Sequence, residues 1–500
     1  MNITKQDIQN LYNTIKKLYL EDDIPWVVGY SGGKDSTATL QLVWLALAEL
    51  PPEVRKRKTV HVICTDTLVE SPVVAKWVEI SLERMRKESE EMNMPFVPHR
   101  LIPDYNDTFW VNLLGRGYPY PHTNFRWCTD RLKIKPSNTF VQNIVSSYGE
   151  VILLLGTRKA ESANRARTMQ RYENLRVRDF LSPNETMQNE LIYSPLEDWT
   201  NDDVWMFLMQ YKNPWGHSNK ELLTMYRGAT EDGECPLIMN SDTPSCGKSR
   251  FGCWVCTLVE QDKSMAAMIM NDSEKEWMTP LLEFRNEIGN AEADRSRRDF
   301  RRMTGNTHVF KGRLVHGPYI KSVREGWLRK LLTIQTEINQ NGPEEFTDLE
   351  LITIEELNKI RQIWLDEKHE FDDSLPDIYK EVTGRDFPAS HRHPKTSFGK
   401  AEWQILSDVC HSLYPDEKLL FEMTARIVDI ERKSSDLKQR RGVLGDIEAQ
   451  IKRGYFQDEE DAKAFTLAKV QLKKNMGASY DKKSESDEEQ LDFYGVEDNL

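Results

Sequence analysis

Apolar and polar positions follow two rhythms along this chain. Between Ile24 and Leu196, short apolar runs alternate with amphipathic stretches. Ile24–Tyr30 (IPWVVGY), Thr59–Thr65 (TVHVICT), Phe96–Ile102 and Val151–Leu155 (VILLL) read as strands, and Ser36–Leu50, Ala75–Asn93 and Asp130–Ser146 read as helices. Apolar strands separated by helices imply an α/β fold with a parallel sheet covered on both faces, which binds ligands at the carboxyl ends of its strands. From about Trp327 onward the period is helical, over Ile354–Asp366, Glu402–His411, Glu417–Ser434 and Asp461–Leu472. The start, Met1–Asp23, places Ile8, Leu11, Ile15, Leu18 and Leu20 between Lys, Asp and Asn. It lacks the charged-then-apolar order of a signal peptide and reads as a docking helix. No internal repeat is visible. The pattern predicts an N-terminal helix (1–23), an α/β domain (24–215), a Cys-rich and basic region (216–330), a helical C-terminal region (331–475) and a disordered acidic tail (476–500).

Composition narrows the class. The chain has 500 residues, 39% of them hydrophobic and 29% charged, with 13 Trp. That excludes a collagen-like or wholly disordered chain and predicts a real core. The most apolar stretch, Ala38–Leu50, is too short to span a bilayer and is interrupted by Thr39 and Gln41. A cytoplasmic protein without membrane contact is expected. The net charge of −13 alone argues against nucleic-acid binding, but charge acts locally. Arg295–Lys330 carries eleven Lys/Arg and two acids, with Phe310, Tyr319 and Trp327 interleaved, whereas Asp481–Leu500 holds eight acids and two Lys. The basic stretch suits phosphate-backbone contact with aromatics available for stacking. Its alternative is a helix face paired with acids elsewhere.

Seven Cys are too few for a disulfide scaffold. Cys246, Cys253 and Cys256 fall within eleven residues, the last two as Cys-x-x-Cys, a spacing that lets two thiolates share one metal face. With a fourth thiolate, zinc and an iron–sulfur cluster both fit, and a redox dithiol is a third possibility. Cys235 is a substitute ligand or persulfide carrier. Cys64 and Cys410 read as buried small hydrophobes, and Trp199 and Trp205 as core.

Ser31-Gly32-Gly33-Lys34-Asp35-Ser36-Thr37 follows the first strand and opens a helix. Glycines let the backbone approach an anion, the helix N-terminus favours negative charge, and Lys34 and the hydroxyls add donors. The spacing is not that of a Walker loop. Asp66, between Thr65 and Thr67 at the end of the second strand, could hold Mg²⁺ or a ribose hydroxyl. A helix cap is the plainer alternative.

The loop resembles the PP-loop of the ATP pyrophosphatases (adenine nucleotide alpha hydrolase-like fold), which cleave ATP between its α and β phosphates. Arg126-Trp127-Cys128-Thr129-Asp130-Arg131-Leu132-Lys133 before Pro136 extends the likeness. So do Gly156-Thr157-Arg158 with Glu161, Ser162 and Arg165, and Ser194-Pro195-Leu196-Glu197-Asp198-Trp199. In order and spacing these resemble the PAPS/APS reductase branch over roughly residues 24–210. Two departures stand out: the last Cys is Cys410, so the tail lacks the reductases' reactive Cys, and the chain is far longer. Both features resemble the sulfurtransferases of DNA phosphorothioation, the DndC family.

That resemblance implies a [4Fe–4S] cluster on Cys128, Cys246, Cys253 and Cys256. It implies ATP and Mg²⁺ bound by Ser31–Thr37, Asp66, Arg158 and Arg165, with Lys34, Asp35, Asp66, Arg158 and Glu161 acting in catalysis. The implied reaction adenylates a DNA phosphate with pyrophosphate release and then inserts sulfur, within a DNA modification system. DNA, a cysteine desulfurase and further subunits of the modification complex would be partners. The alternatives are a PAPS/APS reductase-like assimilation enzyme and a non-catalytic ATP- and DNA-binding zinc subunit. No general base is assigned.

Overall fold

Strands form where the apolar runs predict them. The computed structural model describes residues 3–184, 187–229, 252–388, 399–413, 418–435, 442–454, 456 and 458–475. Strands β1 (Trp26–Gly29), β2 (Val60–Thr65), β3 (Phe96–Leu101) and β4 (Val151–Leu154) are joined by two that the pattern does not single out, β5 (Ser182–Pro183) and β6 (Glu190–Tyr193). The sheet order is β3-β2-β1-β4-β6-β5, parallel throughout except for β5 against β6. The chain leaves β1 towards β2 on one side and returns to β4 on the other. The carboxyl ends of β1 and β4 therefore flank the crevice where sheets of this kind bind ligands.

The pleat divides β1 between two cores. Trp26 and Val28 point into the larger one with Trp44 of α2 (Lys34–Ala48), and α1 (Lys5–Glu21) contributes Ile8, Tyr12, Ile15, Leu18 and Tyr19. Val27 points the other way, against Ile63, Val151 and Val141. Of the predicted docking stripe, Leu20 is exposed; Tyr12 and Tyr19 take the places of Leu11 and Leu20, and Tyr19 meets Trp26 edge-on at 5.2 Å. Helix α3 (Pro72–Glu91) follows β2. Where one helix is predicted from Asp130, the chain makes a turn at Trp127–Thr129 and a π-type turn at Asp130–Ile134 before α4 (Lys135–Tyr148). Pro136 sits in the first turn of α4, where its missing N–H costs no helical bond. Helices α5 (Ala163–Glu173), α6 (Asn201–Gln210) and α7 (Asn219–Gly228) complete this part.

On the α4 side, His61 of β2 and His99 of β3 lie 3.0 Å apart, nitrogen to nitrogen, beside Phe140. Burial, and secondly His99, push His61 down to about 4; burial, and secondly Arg86, lower His99. An unfolded His titrates near ~6.5. As pH falls below that value the unfolded chain takes up protons that the folded pair refuses, so stability falls between about 6.5 and about 4. Thermal unfolding across this window should show the slope, and His61→Leu should flatten it. An unchanged slope in the variant would remove the pair as its origin.

The chain divides into two compact units. The first comprises Met1–Phe109, Pro121–Glu287 and Asn341–Leu349; the second comprises Trp110–Tyr120, Ile288–Gln340 and Glu350–Leu500. The boundaries differ from the predicted ones for a packing reason. Cys253 pairs through its backbone with Glu70, which ties the Cys segment to the sheet, whereas the basic segment packs with the C-terminal helices. The predicted tail lies outside the described residues. Among the described residues, no helix is long and apolar enough to cross a membrane.

In the second unit the basic segment is largely neutralised. Its longer helices are α9 (Lys321–Asn341), α10 (Ile354–Asp366), α11 (Lys400–Leu413), α12 (Lys418–Ser435), α13 (Val443–Gly454) and α14 (Glu459–Asn475); α8 (Thr279–Ile288) lies almost wholly in the first. Arg324 is buried against Glu370 and the Tyr319 carbonyl. Arg298 pairs with Asp294, Arg301 with Asp299, Arg295 with Glu459 and Lys321 with Asp372. Tyr319 and Trp327 are buried against each other, 4.7 Å between rings, so neither is placed to stack on a base. Cys410, expected in a core, is only half-buried.

Candidate active site at the carboxyl edge of the sheet

The loop after β1 is shaped by its glycines. Gly32 has φ +72°, and a Cβ there would lie 2.5 Å from Val78 Cγ2, so both backbone conformation and space require glycine. Gly33 is the N-cap residue of α2. The Ser31 N–H donates to Ser36 Oγ at 3.1 Å, and the Ser36 hydroxyl donates to the Gly33 carbonyl at 3.1 Å. The Lys34 N–H donates to the hydroxyl of buried Tyr226 at 3.2 Å. From β4, Gly156 comes close enough that a Cβ would sit 2.8 Å from the Asp35 carbonyl oxygen. The two strand ends are thus locked together around the first turn of α2.

The charges of this edge are mutually engaged. Asp35 takes the Lys34 ammonium on one oxygen and Arg158 Nε on the other, each at 2.7 Å. Arg158 is buried and also donates to the Trp199 carbonyl at 3.2 Å. It is a strut between the loop and the β4 edge. Its backbone N–H donates to Glu161 Oε1 at 2.9 Å, and Glu161 Oε2 lies 3.4 Å from Arg165 Nε on the more exposed helix α5. Glu161 thereby orients Arg165.

Asp66 is equally committed. Its Oδ1 accepts the Leu68 N–H at 2.8 Å and its Oδ2 accepts Arg100 Nε at 2.9 Å. The arrangement is a capped turn held by an arginine and does not fit a Mg²⁺ ligand. Among the described residues no group of three or more His, Cys, Asp or Glu side chains could hold a metal ion.

The Cys-x-x-Cys segment docks on the same edge. The Ser71 N–H donates to the Gly252 carbonyl at 3.3 Å and the Trp254 N–H to the Val69 carbonyl at 2.9 Å, a short antiparallel pairing directly after Asp66. The pairing sets Cys253 Sγ 3.3 Å from Thr67 Oγ1 and 3.7 Å from Glu70 Oε1. Burial first, and Glu70 second, push the Cys253 thiol up. Burial first, and Cys256 second, push Cys128 up. Lys133, 3.8 Å from Glu70, is held in its charged form chiefly by Cys253, with Glu70, Cys256 and Cys128 adding to it. Cys128, distant in sequence, thus lies within electrostatic reach of the Cys253-x-x-Cys256 pair and of one ammonium. Cys235 and Cys246 lie outside the described residues. Thiol donors are the kind that an iron–sulfur cluster takes, but the described thiols by themselves form no group that could hold one.

Arg285 of α8 holds the segment from behind. It is 1% exposed and donates to the carbonyls of Cys256 (2.9 and 2.7 Å), Glu260 (2.8 Å) and Val259. Sequence reasoning assigns no role to Arg285, Tyr226, Arg100 or Lys133. Lys133 had a signal, its place in the Arg126–Lys133 motif; a lone Arg amid the apolar residues of α8 is a weak one.

Residues 25–258 match the family described as the phosphoadenosine phosphosulfate reductase domain. This segment has a PAPS reductase-like fold. It carries the parallel sheet, the loop after β1 and the Cys-x-x-Cys segment. An uncharacterised protein of Methanocaldococcus jannaschii is 26% identical over 208 residues, which is 42% of this chain and 35% of the relative, so the chain spans about a third of that relative's length. Two solved structures are similar. One is the phosphoadenylyl-sulfate reductase of Candida auris in its phosphate complex, with 13% identity, a TM-score of 0.26, and 42% of this chain and 88% of that one covered. The other is a U34-tRNA thiolase of Methanococcus maripaludis with its [4Fe–4S] cluster, with 12% identity, a TM-score of 0.28, and 57% and 80% covered.

Proposed function

We propose that this chain is an ATP-dependent sulfurtransferase that modifies the DNA backbone, as the resemblance to the DndC family implies. The observation that carries the reading is the pairing of Val69–Ser71 with Gly252–Trp254, which sets a Cys-x-x-Cys segment against the nucleotide edge of a PP-loop sheet. An activating site and a sulfur-handling site then share one strand end.

ATP is the first substrate. Ser31, Ser36 and the first turn of α2 bind its phosphates, and Lys34 neutralises charge on them as pyrophosphate departs. The Asp35–Arg158 strut fixes the direction of Lys34. A DNA phosphate oxygen attacks the α-phosphorus, the bond to the β-phosphate oxygen breaks, and pyrophosphate leaves. The terminal sulfur of a persulfide supplied by a desulfurase partner then attacks the DNA phosphorus and displaces AMP, and a second thiol cleaves the S–S bond so formed, leaving phosphorothioate on the DNA and a disulfide. Lys133 steadies the anionic sulfur beside Cys253 and Cys256. A [4Fe–4S] cluster held by Cys128, Cys246, Cys253 and Cys256 would supply iron able to bind that sulfur.

The test is pyrophosphate release from ATP by anaerobically purified protein, with and without DNA, with mass spectrometry of the DNA for phosphorothioate. DNA-stimulated release with sulfur incorporation is expected. The match to the reductase domain favours a second reading, sulfur assimilation from PAPS. Sulfite release from PAPS with reduced thioredoxin, with DNA inert, would install it in place of ours.

A further inference from the structure

Within the largely neutralised basic segment, one piece remains outward and cationic. Strands β7 (Val309–Phe310) and β8 (Arg313–Leu314) form a hairpin in which Val309 pairs with Leu314 and Phe310 with Arg313. Cross-strand partners share a face, so the hairpin sorts its side chains cleanly. Val309 and Leu314 turn inward, Leu314 buried with Phe456 and Ala462. Phe310 and Arg313 turn outward; Phe310 is 44% exposed and Arg313 is exposed. The two-residue turn is Lys311-Gly312, with φ of +48° and +78°. Such a turn favours Asn-Gly or Gly-Gly, yet here a lysine takes the left-handed position at a cost of about 1 kcal/mol. Its ammonium lies 5.0 Å from the centre of the Phe310 ring. The base of the hairpin is firmly seated: Arg295 donates to the Leu314 carbonyl at 3.1 Å and pairs with Glu459 of α14, and the Val315 N–H donates to the His308 carbonyl at 2.8 Å.

A single exposed Phe needs no explanation. This one sits on a fixed turn with two cations beside it and no acid between residues 309 and 314. A flat apolar ring flanked by positive charge complements a strand that alternates flat bases with phosphates. We propose that the 309–314 hairpin grips a DNA strand, with Lys311 and Arg313 on successive phosphates and Phe310 stacked on an accessible base. The inference rests on the DNA-directed reading above and names the surface that reading needs.

The experiment measures binding of the full-length protein to a fluorescein-labelled single-stranded DNA 20-mer and to its duplex, by anisotropy over a salt series. Removing two phosphate contacts in Lys311→Ala/Arg313→Ala should lower the single-strand salt slope by on the order of 1.4 and weaken binding at low salt. Phe310→Ala should weaken the single strand about tenfold and the duplex less. Thermal unfolding at the wild-type midpoint certifies that each variant is folded. Wild-type DNA binding with unchanged affinity and slope in the double variant overturns the hairpin and leaves the functional reading standing. Wild-type protein that binds RNA but not DNA, or neither, overturns both. A Phe310→Ala variant that binds both DNAs as wild type overturns the stacking role.

Discussion

Arg158→Ala is expected to lower pyrophosphate release by on the order of 10²-fold and to destabilise the first unit by about 2 kcal/mol. The guanidinium ties together pieces far apart in sequence: Asp35 lies 123 positions away and Trp199 lies 41 away. Without it Asp35 keeps only Lys34 as counter-charge, and the Trp199 carbonyl loses a buried donor. Lys34 can then close more tightly on Asp35 and withdraw from the phosphates, so turnover should fall more steeply than stability alone would cause. Arg158→Lys restores the charge but cannot make both bonds at their present angle, and should recover only part of the loss. A double-mutant cycle with Asp35→Asn measures the coupling directly. Wild-type turnover in a folded Arg158→Ala protein would end the strut interpretation.

What the sequence discloses here depends on how local the cause is. The loop after β1 is legible because its cause is local: an apolar strand, two glycines and a helix start in succession. Glycine at position 32 is demanded by an αL backbone and by Val78, and the backbone part of that demand is written in the motif. The strut is illegible because the burial of Arg158 is decided by a carboxylate on another element. Counting the arginines of residues 295–330 fails for the same reason. Glu370, Asp372 and Glu459, which neutralise three of these cations, lie well downstream. The thiols fall between these cases. Spacing groups Cys253 with Cys256, a family resemblance adds Cys128, and only the pairing after β2 explains why the group stands at the carboxyl edge of the sheet. The hairpin tip was countable as charge but not as a surface, since the facing of Phe310 and Arg313 follows from register.

The second large effect is expected at Arg285, a residue that sequence reasoning does not select. Arg285→Met keeps most of the volume and removes every hydrogen bond. The carbonyls of Cys256, Val259 and Glu260 would be left without this donor in a buried setting, at a cost of about 3 kcal/mol or more. Burial already lowers the affinity of this guanidinium for its proton. The destabilisation should be concentrated in the Cys segment, because all three carbonyls belong to the chain just after Cys253-x-x-Cys256. Metal-free protein would then show faster alkylation of Cys253 and Cys256 in Arg285→Met than in wild type, while Cys64, buried in the sheet, would react at its original rate. Arg285→Lys offers one cationic donor group where a fork is needed and should protect the thiols less than the native side chain. Equal alkylation rates in all three proteins, with equal unfolding midpoints, would show that the segment holds its shape through the Val69–Ser71 pairing alone.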